Sequence, residues 1–379
     1  MRIRLLHILW GGILGGMQRL VVELTRHHNP EKYDITVAIL TKSGKMTDQI
    51  DRNKIRVVEF GLSSSLDIIG FLRFFSFIRF NRFDIIHNHE RTILMNFIFL
   101  VVKQRPVLVY HEHGTVLLSG SHKTRLFYAI FSRYYNAFIA IHNEMADSMK
   151  QLVMVPQEKL VVIENPVDVD FFSPPIETNG NISCSKNPQT IGTVARLAPE
   201  KDLNLFIETA RLVLRRRPET RFVIVGEGPL QEKLQRDCNH PELKNSILLA
   251  GGTIEVPKLL RSFDLFLFTS RIEPFGMTLL ESLACGVPVL SAKPEAGGAI
   301  NLLQTLPGVS LVQKRDPEAL AERAFKLLEN PKELRILGRL GREYVVKYYN
   351  VKIWIEALDL LYLKLLKLKK ERKSLYVCL

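Results

Sequence analysis

The chain alternates strand-length apolar segments with helix-length amphipathic segments, and it does so twice. In the first half, for example, residues 3–10 and 33–40 have the apolar character of buried strands, and residues 17–28 have the period of a helix. The alternation starts again at Thr190, after a stretch rich in Pro, Asn and Ser. Such alternation predicts a parallel sheet covered on both faces, with ligands at the carboxyl ends of the strands. The sequence therefore predicts two α/β domains.

Length and composition agree with two globular domains. The chain has 379 residues, 46% of them hydrophobic and 24% charged, which is too long for one ordinary core and too apolar for disorder. Its four cysteines form no CxxC pair, so we expect a reducing compartment, no disulfide framework and no zinc site. His7 and several glycines interrupt the apolar start, unlike a signal peptide. No uninterrupted apolar run reaches about 18 residues, so we expect no spanning helix.

The segment 269–288 carries the most specific chemistry. It follows an apolar strand-length run, makes a Pro-Phe-Gly turn and then begins a helix. Such a turn presents free N–H groups and the positive end of the helix dipole, which suit a phosphate. Glu273 and Glu281 would repel a phosphate, but they suit the hydroxyls of a ribose and a sugar. The alternative is that Glu281 is an exposed helix residue and that Glu273 only complements the helix dipole.

Two cations, Arg196 and Lys201, follow the first predicted strand of the second half and precede a helix. They match a diphosphate, Arg by its planar fork and Lys as a point charge, although two solvated loop cations would look the same. In the first half, the glycine loop 11–16 also opens a helix, where Gly15 and Gly16 would bring backbone N–H groups close to a ligand. A merely flexible loop is the alternative. Its spacing is not GxGxxG, which disfavours a dehydrogenase.

Four histidines lie near predicted strand ends: His87, His89, His111 and His113. An HxH pair on a strand places both side chains on one face, where they can ligate a metal. No neighbouring carboxylate–histidine pattern completes such a site in the sequence. We therefore expect no metal.

The net charge of +13 lies mostly in residues 1–165 and 362–379. We find no nucleic-acid recognition motif and expect no nucleic-acid partner. The aromatic segment 68–80 carries Arg73 and Arg79, which predicts either a core-facing helix with snorkelling arginines or an interfacial helix on an anionic membrane. The basic tail has a similar pattern, which an exposed terminal helix would also produce. We expect a cytoplasmic protein, with peripheral contact at the inner face of the plasma membrane as a hypothesis.

The sequence EPFGMTLLESLACGVPV resembles the E-x7-E signature of the family-4 retaining glycosyltransferases, which have the GT-B fold. The resemblance implies two Rossmann-like domains facing a central cleft, with C-terminal helices that cross back to the first domain. We place the domains at 1–170 and 190–348, with a linker at 171–189 and a terminal helix and basic tail at 349–379. The resemblance also implies that Glu281 binds the ribose and Glu273 the donor sugar. Four further residues would contact the sugar-phosphate end: Phe275, Gly276, Met277 and Thr278.

Other motifs extend the resemblance over most of the chain. ARLAPEKD resembles the family's G-R-L-x-x-x-K-G, which implies that Arg196 and Lys201 bind the donor diphosphate. VGEGPL resembles V-G-x-G-P, which implies that Gly226 and Gly228 lie near the nucleotide. His113, followed by glycine, matches the family's H-G step and implies a residue of the catalytic centre.

The segment GGMQR at residues 15–19, where the first predicted helix begins, resembles the family's G-G-x-E-R, with Gln18 where Glu is common. The resemblance implies that Gly15 and Gly16 contact the donor. The implied reaction moves a hexosyl unit from a nucleoside diphosphate sugar to a saccharide or lipid-linked acceptor, in cell-envelope polysaccharide or glycolipid biosynthesis. It needs no metal and no other cofactor. Two alternatives stay open, namely a nucleotide-sugar epimerase or hydrolase of the same fold and a non-catalytic module that binds sugar nucleotides.

Overall fold

The computed structural model describes residues 2–92, 96, 97, 99, 105–114, 122–175 and 188–377. The chain divides into two compact units. The first comprises Met1–Asn165 together with Val351–Leu379, and the second comprises Pro166–Asn350. Each unit is built on a parallel sheet, as the alternation of apolar and amphipathic segments predicted.

The first unit contains a seven-stranded sheet. Its strands are β1 Ile3–Leu9, β2 Tyr33–Ile39, β3 Arg56–Glu59, β4 Ile85–Asn88, β5 Val107–His111, β6 Ala137–Ala140 and β7 Leu160–Val162. Their order is β3-β2-β1-β4-β5-β6-β7. The helices that precede residue 165 in the described ranges are α1 Gly16–His27, α2 Ile68–Phe80, α3 His122–Phe131 and α4 Asn143–Val153.

The second unit contains a six-stranded sheet. Its strands are β8 Thr190–Val194, β9 Arg221–Val225, β10 Ile247–Gly251, β11 Leu265–Phe268, β12 Val289–Ala292 and β13 Val309–Val312. Their order is β10-β9-β8-β11-β12-β13. Its helices among the described residues are α5 Leu203–Arg216, α6 Gln231–Cys238, α7 Val256–Leu260, α8 Met277–Ala284, α9 Ala299–Thr305, α10 Pro317–Leu328 and α11 Pro331–Tyr348.

Most of these elements follow from the apolar pattern of the sequence. Strands such as β4, β5, β11 and β12 are buried along their whole length, as expected where parallel sheets are covered on both faces. The sequence did not predict α7 and α9, because helices of five and seven residues are too short to show a helical period. A helix predicted at 92–102 lies mostly outside the described residues.

The last helix, α12 Val351–Val377, belongs to the first unit, which confirms the predicted crossing back. The Lys32 ammonium donates to the Asp359 carboxylate at 2.6 Å, and Trp354 and Tyr362 are buried. The resemblance implied more than one crossing helix, but the two helices before α12, namely α10 and α11, belong to the second unit.

The predicted linker, 171–189, begins inside the second unit, which starts at Pro166. The reason is a set of hydrogen bonds that tie residues 167–172 to the end of the second unit. The Val167 N–H donates to the Tyr349 carbonyl at 2.7 Å, and the Arg342 guanidinium donates to the Phe172 carbonyl at 3.1 Å. Residues 176–187 of the predicted linker are outside the described ranges.

Candidate active site

The order of the second sheet reverses direction between β8 and β11, which are neighbours although β9 and β10 separate them in sequence. Ligands of open parallel sheets bind at such a switch point, beyond the carboxyl ends of the two strands. The segment after β8 carries Arg196 and Lys201, and the segment after β11 carries Glu273 and the Gly276 turn. The topology therefore brings together the two segments that the sequence singled out.

A buried ion pair joins these two segments. The Lys201 ammonium donates to Oε2 of Glu273 at 2.6 Å, and the Ser270 hydroxyl donates to the same oxygen at 3.1 Å. The Thr269 hydroxyl donates to the Lys201 carbonyl at 3.0 Å. Glu273 is only 8% exposed, so it is more than a surface complement to the helix dipole.

Arg196 is exposed, in contrast to Lys201. Within the described ranges its guanidinium forms no ion pair. Its backbone is nevertheless fixed, because the Leu197 N–H donates to the Glu227 carbonyl at 2.9 Å and the Ala198 N–H to the Arg196 carbonyl at 2.9 Å. The backbone at Arg196 is thus held in place, while its guanidinium is exposed and can bind an anion.

The two glycines after β9 pack against the segment after β8. A Cβ on Gly226 would lie 1.8 Å from the Ala195 carbonyl oxygen, and one on Gly228 would lie 2.5 Å from the Leu197 carbonyl oxygen. No larger residue fits at either position without displacing backbone. Gly226 and Gly228 therefore lie beside the segment that carries Arg196.

The E-x7-E segment forms the predicted turn and helix. Gly276 is the N-cap of α8 with φ +100°, and the N–H of Leu279 donates to its carbonyl at 3.0 Å. Met277 and Thr278 open the helix, where N–H groups have no acceptor within the helix itself. Phe275 is buried and packs edge-on against Tyr349, with ring centroids 6.3 Å apart.

Glu281 lies within α8 and is 4% exposed. The alternative that it is an exposed helix residue is therefore wrong. A carboxylate is placed in the interior of a protein only where a polar partner or ligand offsets its desolvation. Glu281 is thus part of the interior of the second unit.

The sequence analysis missed Arg315, which ties the strand ends of this site together. Its guanidinium donates to the Thr269 carbonyl at 2.5 Å, to the Ser270 carbonyl at 3.0 Å and to the Asp202 carboxylate at 2.7 Å. Arg315 comes shortly after β13, and this position at a strand end is the one signal in the sequence that could have found it.

The glycine loop of the first unit is anchored at its first half. The Gly12 N–H donates to the Lys42 carbonyl at 3.1 Å, and the Met46 N–H donates to the Gly12 carbonyl at 3.2 Å. A merely flexible loop is therefore excluded for this half. Gly15 is the N-cap of α1 and Gly16 begins the helix, so the loop does end at a helix N-terminus, as predicted.

His113 follows β5 and belongs to a group of stacked imidazoles, which we call the histidine cluster. Its Nε2 lies 2.8 Å from Nδ1 of His89. Burial lowers the pKa of His113 to about 3, so the ring is neutral near pH 7. The cluster comprises His7, His28, His87, His89, His111 and His113. The sequence analysis missed His7 and His28, because they are distant in the chain from the other four.

Comparisons with known proteins agree with this arrangement. Residues 14–171 match the family model described as Glycosyltransferase Family 4, and residues 178–344 match the one described as Glycosyl transferases group 1. The chain belongs to the family-4 glycosyltransferases. This glycosyltransferase is thus an enzyme that acts on a sugar-nucleotide donor.

Relatives of this glycosyltransferase cover nearly its whole length. The UDP-Gal:alpha-D-GlcNAc-diphosphoundecaprenol alpha-1,3-galactosyltransferase of Escherichia coli is 25% identical over 382 residues, 96% of this chain and 97% of the relative. The crystal structure of Anabaena Alr3699/HepE with UDP and glucose has a TM-score of 0.79 at 18% identity, covering 94% and 98% of the two chains. A glycosyltransferase from Rickettsia africae ESF-5 has a TM-score of 0.75 at 17% identity, covering 97% and 99%. The GT-B fold predicted from the E-x7-E segment is confirmed.

Proposed function

We propose that this glycosyltransferase moves a hexosyl unit from a nucleoside diphosphate sugar to a saccharide or lipid-linked acceptor, with retention of the anomeric configuration. The observation that carries the proposal is the Lys201–Glu273 contact at the switch point of the second sheet, beside the N-terminus of α8. A cation, a buried carboxylate and a helix N-terminus converge there. Each has a natural counterpart in a nucleotide sugar.

The donor would be held by groups of complementary charge. Arg196, Lys201 and the first N–H groups of α8 suit the diphosphate, since fixed cations and a helix dipole both favour negative charge. Glu273 would accept hydrogen bonds from the sugar hydroxyls, and the buried Glu281 would accept them from the ribose. Gly226 and Gly228 would allow the nucleotide to approach the backbone closely. Phe275, Gly276, Met277 and Thr278 would line its sugar-phosphate end.

In the reaction, the acceptor hydroxyl oxygen forms a bond to the anomeric carbon while the bond from that carbon to the diphosphate breaks. The diphosphate leaves with the electron pair, and it can take up the proton of the acceptor. Lys201, Arg196 and the helix N–H groups stabilise the charge that develops on it, which is the main source of catalysis in such a step. No metal ion is needed for this neutralisation.

The family resemblance also assigns donor contacts to three residues of the first unit. Gly15 and Gly16 lie at the N-terminus of α1 and offer backbone N–H groups. His113 would hydrogen-bond the sugar as a neutral imidazole, which agrees with its lowered pKa. A charged imidazolium is disfavoured by the same burial.

The acceptor is proposed to be a lipid-linked or saccharide intermediate of the cell envelope. The Escherichia coli relative is a galactosyltransferase whose name specifies a GlcNAc-diphosphoundecaprenol substrate. The α2 helix of this chain supports such an acceptor, because it exposes apolar side chains in addition to those that it buries. Phe71, Phe74 and Ile78 are buried, whereas Ile68 and Phe80 are 68% and 80% exposed. α2 thus buries one face in the first unit, as the core-facing alternative predicted, and exposes the other.

We propose that the exposed face of α2 lies on an anionic membrane surface. Arg73 and Arg79 are exposed on the same helix, and each basic residue near such a surface contributes about 1 kcal/mol. No helix that the structure describes is both long enough and apolar enough to cross a bilayer. Sedimentation with anionic liposomes tests the contact: Arg73→Glu with Arg79→Glu should release the protein, and Arg335→Glu with Arg339→Glu in the second unit should not. Equal binding of both double variants would refute the membrane contact and leave the enzyme proposal intact.

The transfer proposal is tested by a thermal-shift panel of UDP-, GDP- and ADP-sugars, because a bound donor stabilises the folded state by mass action. The best donor is then incubated with polyprenyl-diphosphate saccharides, and the anomeric configuration of the product is read by NMR. We expect retained configuration. An inverted product would refute the proposed stereochemistry.

The two rival functions give different results in the same assay. An epimerase or hydrolase converts the donor without an acceptor, which yields epimerised or free sugar. A non-catalytic module is stabilised by the donor but turns over nothing with any acceptor. Because the chain belongs to a family of glycosyltransferases, we expect turnover with an acceptor and not binding alone.

A further inference from the structure

Three members of the histidine cluster meet at the switch point of the first sheet. β1 and β4 are adjacent there, and His7 of β1 pairs in register with His87 of β4. His89 follows β4 directly. The three residues are 0%, 0% and 5% exposed, and one ring nitrogen of each lies within 4.8 Å of the others.

The ring nitrogens of these three histidines are only partly engaged in hydrogen bonds with other residues. Nδ1 of His87 lies 2.5 Å from the Tyr362 hydroxyl oxygen, and Nε2 of the same ring has no hydrogen-bond partner in the described part of the chain. Nδ1 of His89 lies 2.8 Å from Nε2 of His113. Nε2 of His89 and Nδ1 of His7 are 3.3 Å apart, a long hydrogen bond that a bound ion would replace, and Nε2 of His7 has no hydrogen-bond partner among the described residues. Histidine ligates a metal as the neutral imidazole, and all three rings are buried in the first unit.

We propose that His7, His87 and His89 form a binding site for a divalent transition-metal ion of the zinc class. Three imidazoles are a known type of zinc ligand set, and ligand nitrogens around a tetrahedral zinc ion lie about 3.3 Å apart when each Zn–N bond is about 2.05 Å. Nδ1 of His7 and Nε2 of His89 are already 3.3 Å apart, and a ring nitrogen of His87 lies within 4.8 Å of the ligand nitrogens of both. Binding requires that the stacked rings of His87 and His89 turn toward the ion. Magnesium and calcium prefer oxygen ligands and are disfavoured.

Tyr362 is a positioning residue in this site. A metal-bound histidine commonly donates its second N–H to a neighbouring acceptor, which fixes the ring. Nδ1–H of His87 can donate to the Tyr362 hydroxyl oxygen in this way. The ion would link β1 to β4 and, through Tyr362, to α12. It would stabilise the first unit and take no part in neutralising the donor diphosphate.

A second group of three, His89, His111 and His113, is less suited to the ion. The 2.8 Å separation of the nitrogens of His89 and His113 is a hydrogen-bond distance and is shorter than the spacing of two zinc ligands. His113 is also less buried than the other two. The sequence disfavoured a metal because no neighbouring carboxylate–histidine pattern completed a site. The sheet places a third imidazole, that of His7 on β1, beside His87 and His89.

The test uses the full-length protein after removal of metals with a chelator. Zn²⁺ is titrated in against a chromophoric chelator, and Co²⁺ is added separately because its visible absorption reports tetrahedral coordination. We expect one ion per chain and an increase in the thermal unfolding temperature. His7→Gln and His87→Gln should each weaken Zn²⁺ binding more than about 100-fold, and Tyr362→Phe should weaken it roughly 10-fold to 100-fold.

Two control variants and one fold measurement keep the result interpretable. His240→Gln removes an exposed histidine of the second unit, and His111→Gln removes a member of the second group of three. Both should bind Zn²⁺ like the wild type. Far-UV circular dichroism of the metal-free variants establishes that they fold, and Tyr362→Phe preserves the packing if His7→Gln does not fold. Absence of tight Zn²⁺ binding, or loss of it in His111→Gln with retention in His7→Gln, would overturn the proposal.

Discussion

The Lys201 ammonium and the Glu273 carboxylate, 2.6 Å apart, join the segments that follow two neighbouring strands of the second sheet. Both side chains are largely buried, with exposed fractions of 17% and 10%. A pair in this environment is costly to break on one side, because the remaining charge stays buried without its partner. Lys201 and Glu273 are also proposed to bind the donor. The pair therefore has a structural role and a functional role, which need separate measurements.

A double-mutant cycle separates these roles. Lys201→Met and Glu273→Gln should each lower the free energy of unfolding by roughly 2–3 kcal/mol, and the double variant should lose less than the sum. All three variants should lose at least about 100-fold in transfer, since the stability recovered does not restore the donor contacts. Urea denaturation and initial rates measure the two effects. Transfer restored in the double variant would show that the pair acts only as structure.

Gly297 should be intolerant of any side chain. Its φ is +105°, and a Cβ would lie 2.0 Å from the Glu273 carbonyl oxygen, which belongs to rigid backbone. Gly297→Ala should therefore shift the Glu273 segment, lower stability by more than about 2 kcal/mol and abolish the donor-induced thermal shift. Gly61→Ala is the matched control, because Gly61 has φ +65° with nothing within 4 Å of the added Cβ. That control should cost only about 1 kcal/mol.

Arg315 should be required for donor affinity although it is not proposed to touch the donor. Its contacts to Thr269, Ser270 and Asp202 hold the strand ends that carry Lys201 and Glu273. Arg315→Met should lower the free energy of unfolding by roughly 2 kcal/mol and raise the donor Kd, measured by calorimetry. Arg339→Met removes an exposed pair with Glu343 and should change stability by less than about 0.5 kcal/mol. An unchanged Kd in Arg315→Met would contradict the positioning role.

The two cysteines within the described residues should resist thiol reagents. Cys238 and Cys285 are buried, and burial raises the pKa of their thiols to about 11 and about 12. Because the thiolate is the reactive form, both stay protonated at pH 8 and should react with iodoacetamide only after unfolding. Peptide mass spectrometry of native and urea-unfolded samples measures the labelling of each. Rapid native labelling of Cys285 would show that α8 opens.

Local patterns were enough to predict the elements. Nearly all strands and helices follow from apolar runs and amphipathic periods, which depend on residues close in sequence. The helices α7 and α9 were missed because a helix of one or two turns is too short to show a helical period in its sequence. The E-x7-E segment was predicted from its own residues for the same reason, since the turn, the helix start and both carboxylates lie within it.

Contacts between distant residues were beyond the sequence. Lys201 and Glu273 are 72 positions apart, and His87 and Tyr362 are 275 apart. The position of Arg315 after a strand is visible in the sequence, but its contacts to Thr269, Ser270 and Asp202 are not. The sequence likewise does not show that His7 lies beside the HxH pair.

By itself, the sequence determined that this chain forms two parallel α/β units with a nucleotide-sugar signature in the second. The tertiary structure decided which charged groups are paired, which carboxylates are buried and which histidines meet. The physical reason is that secondary structure depends on neighbouring residues, whereas burial and charge pairing depend on strand order. That order brings β1 beside β4 and β8 beside β11 only after the chain has folded.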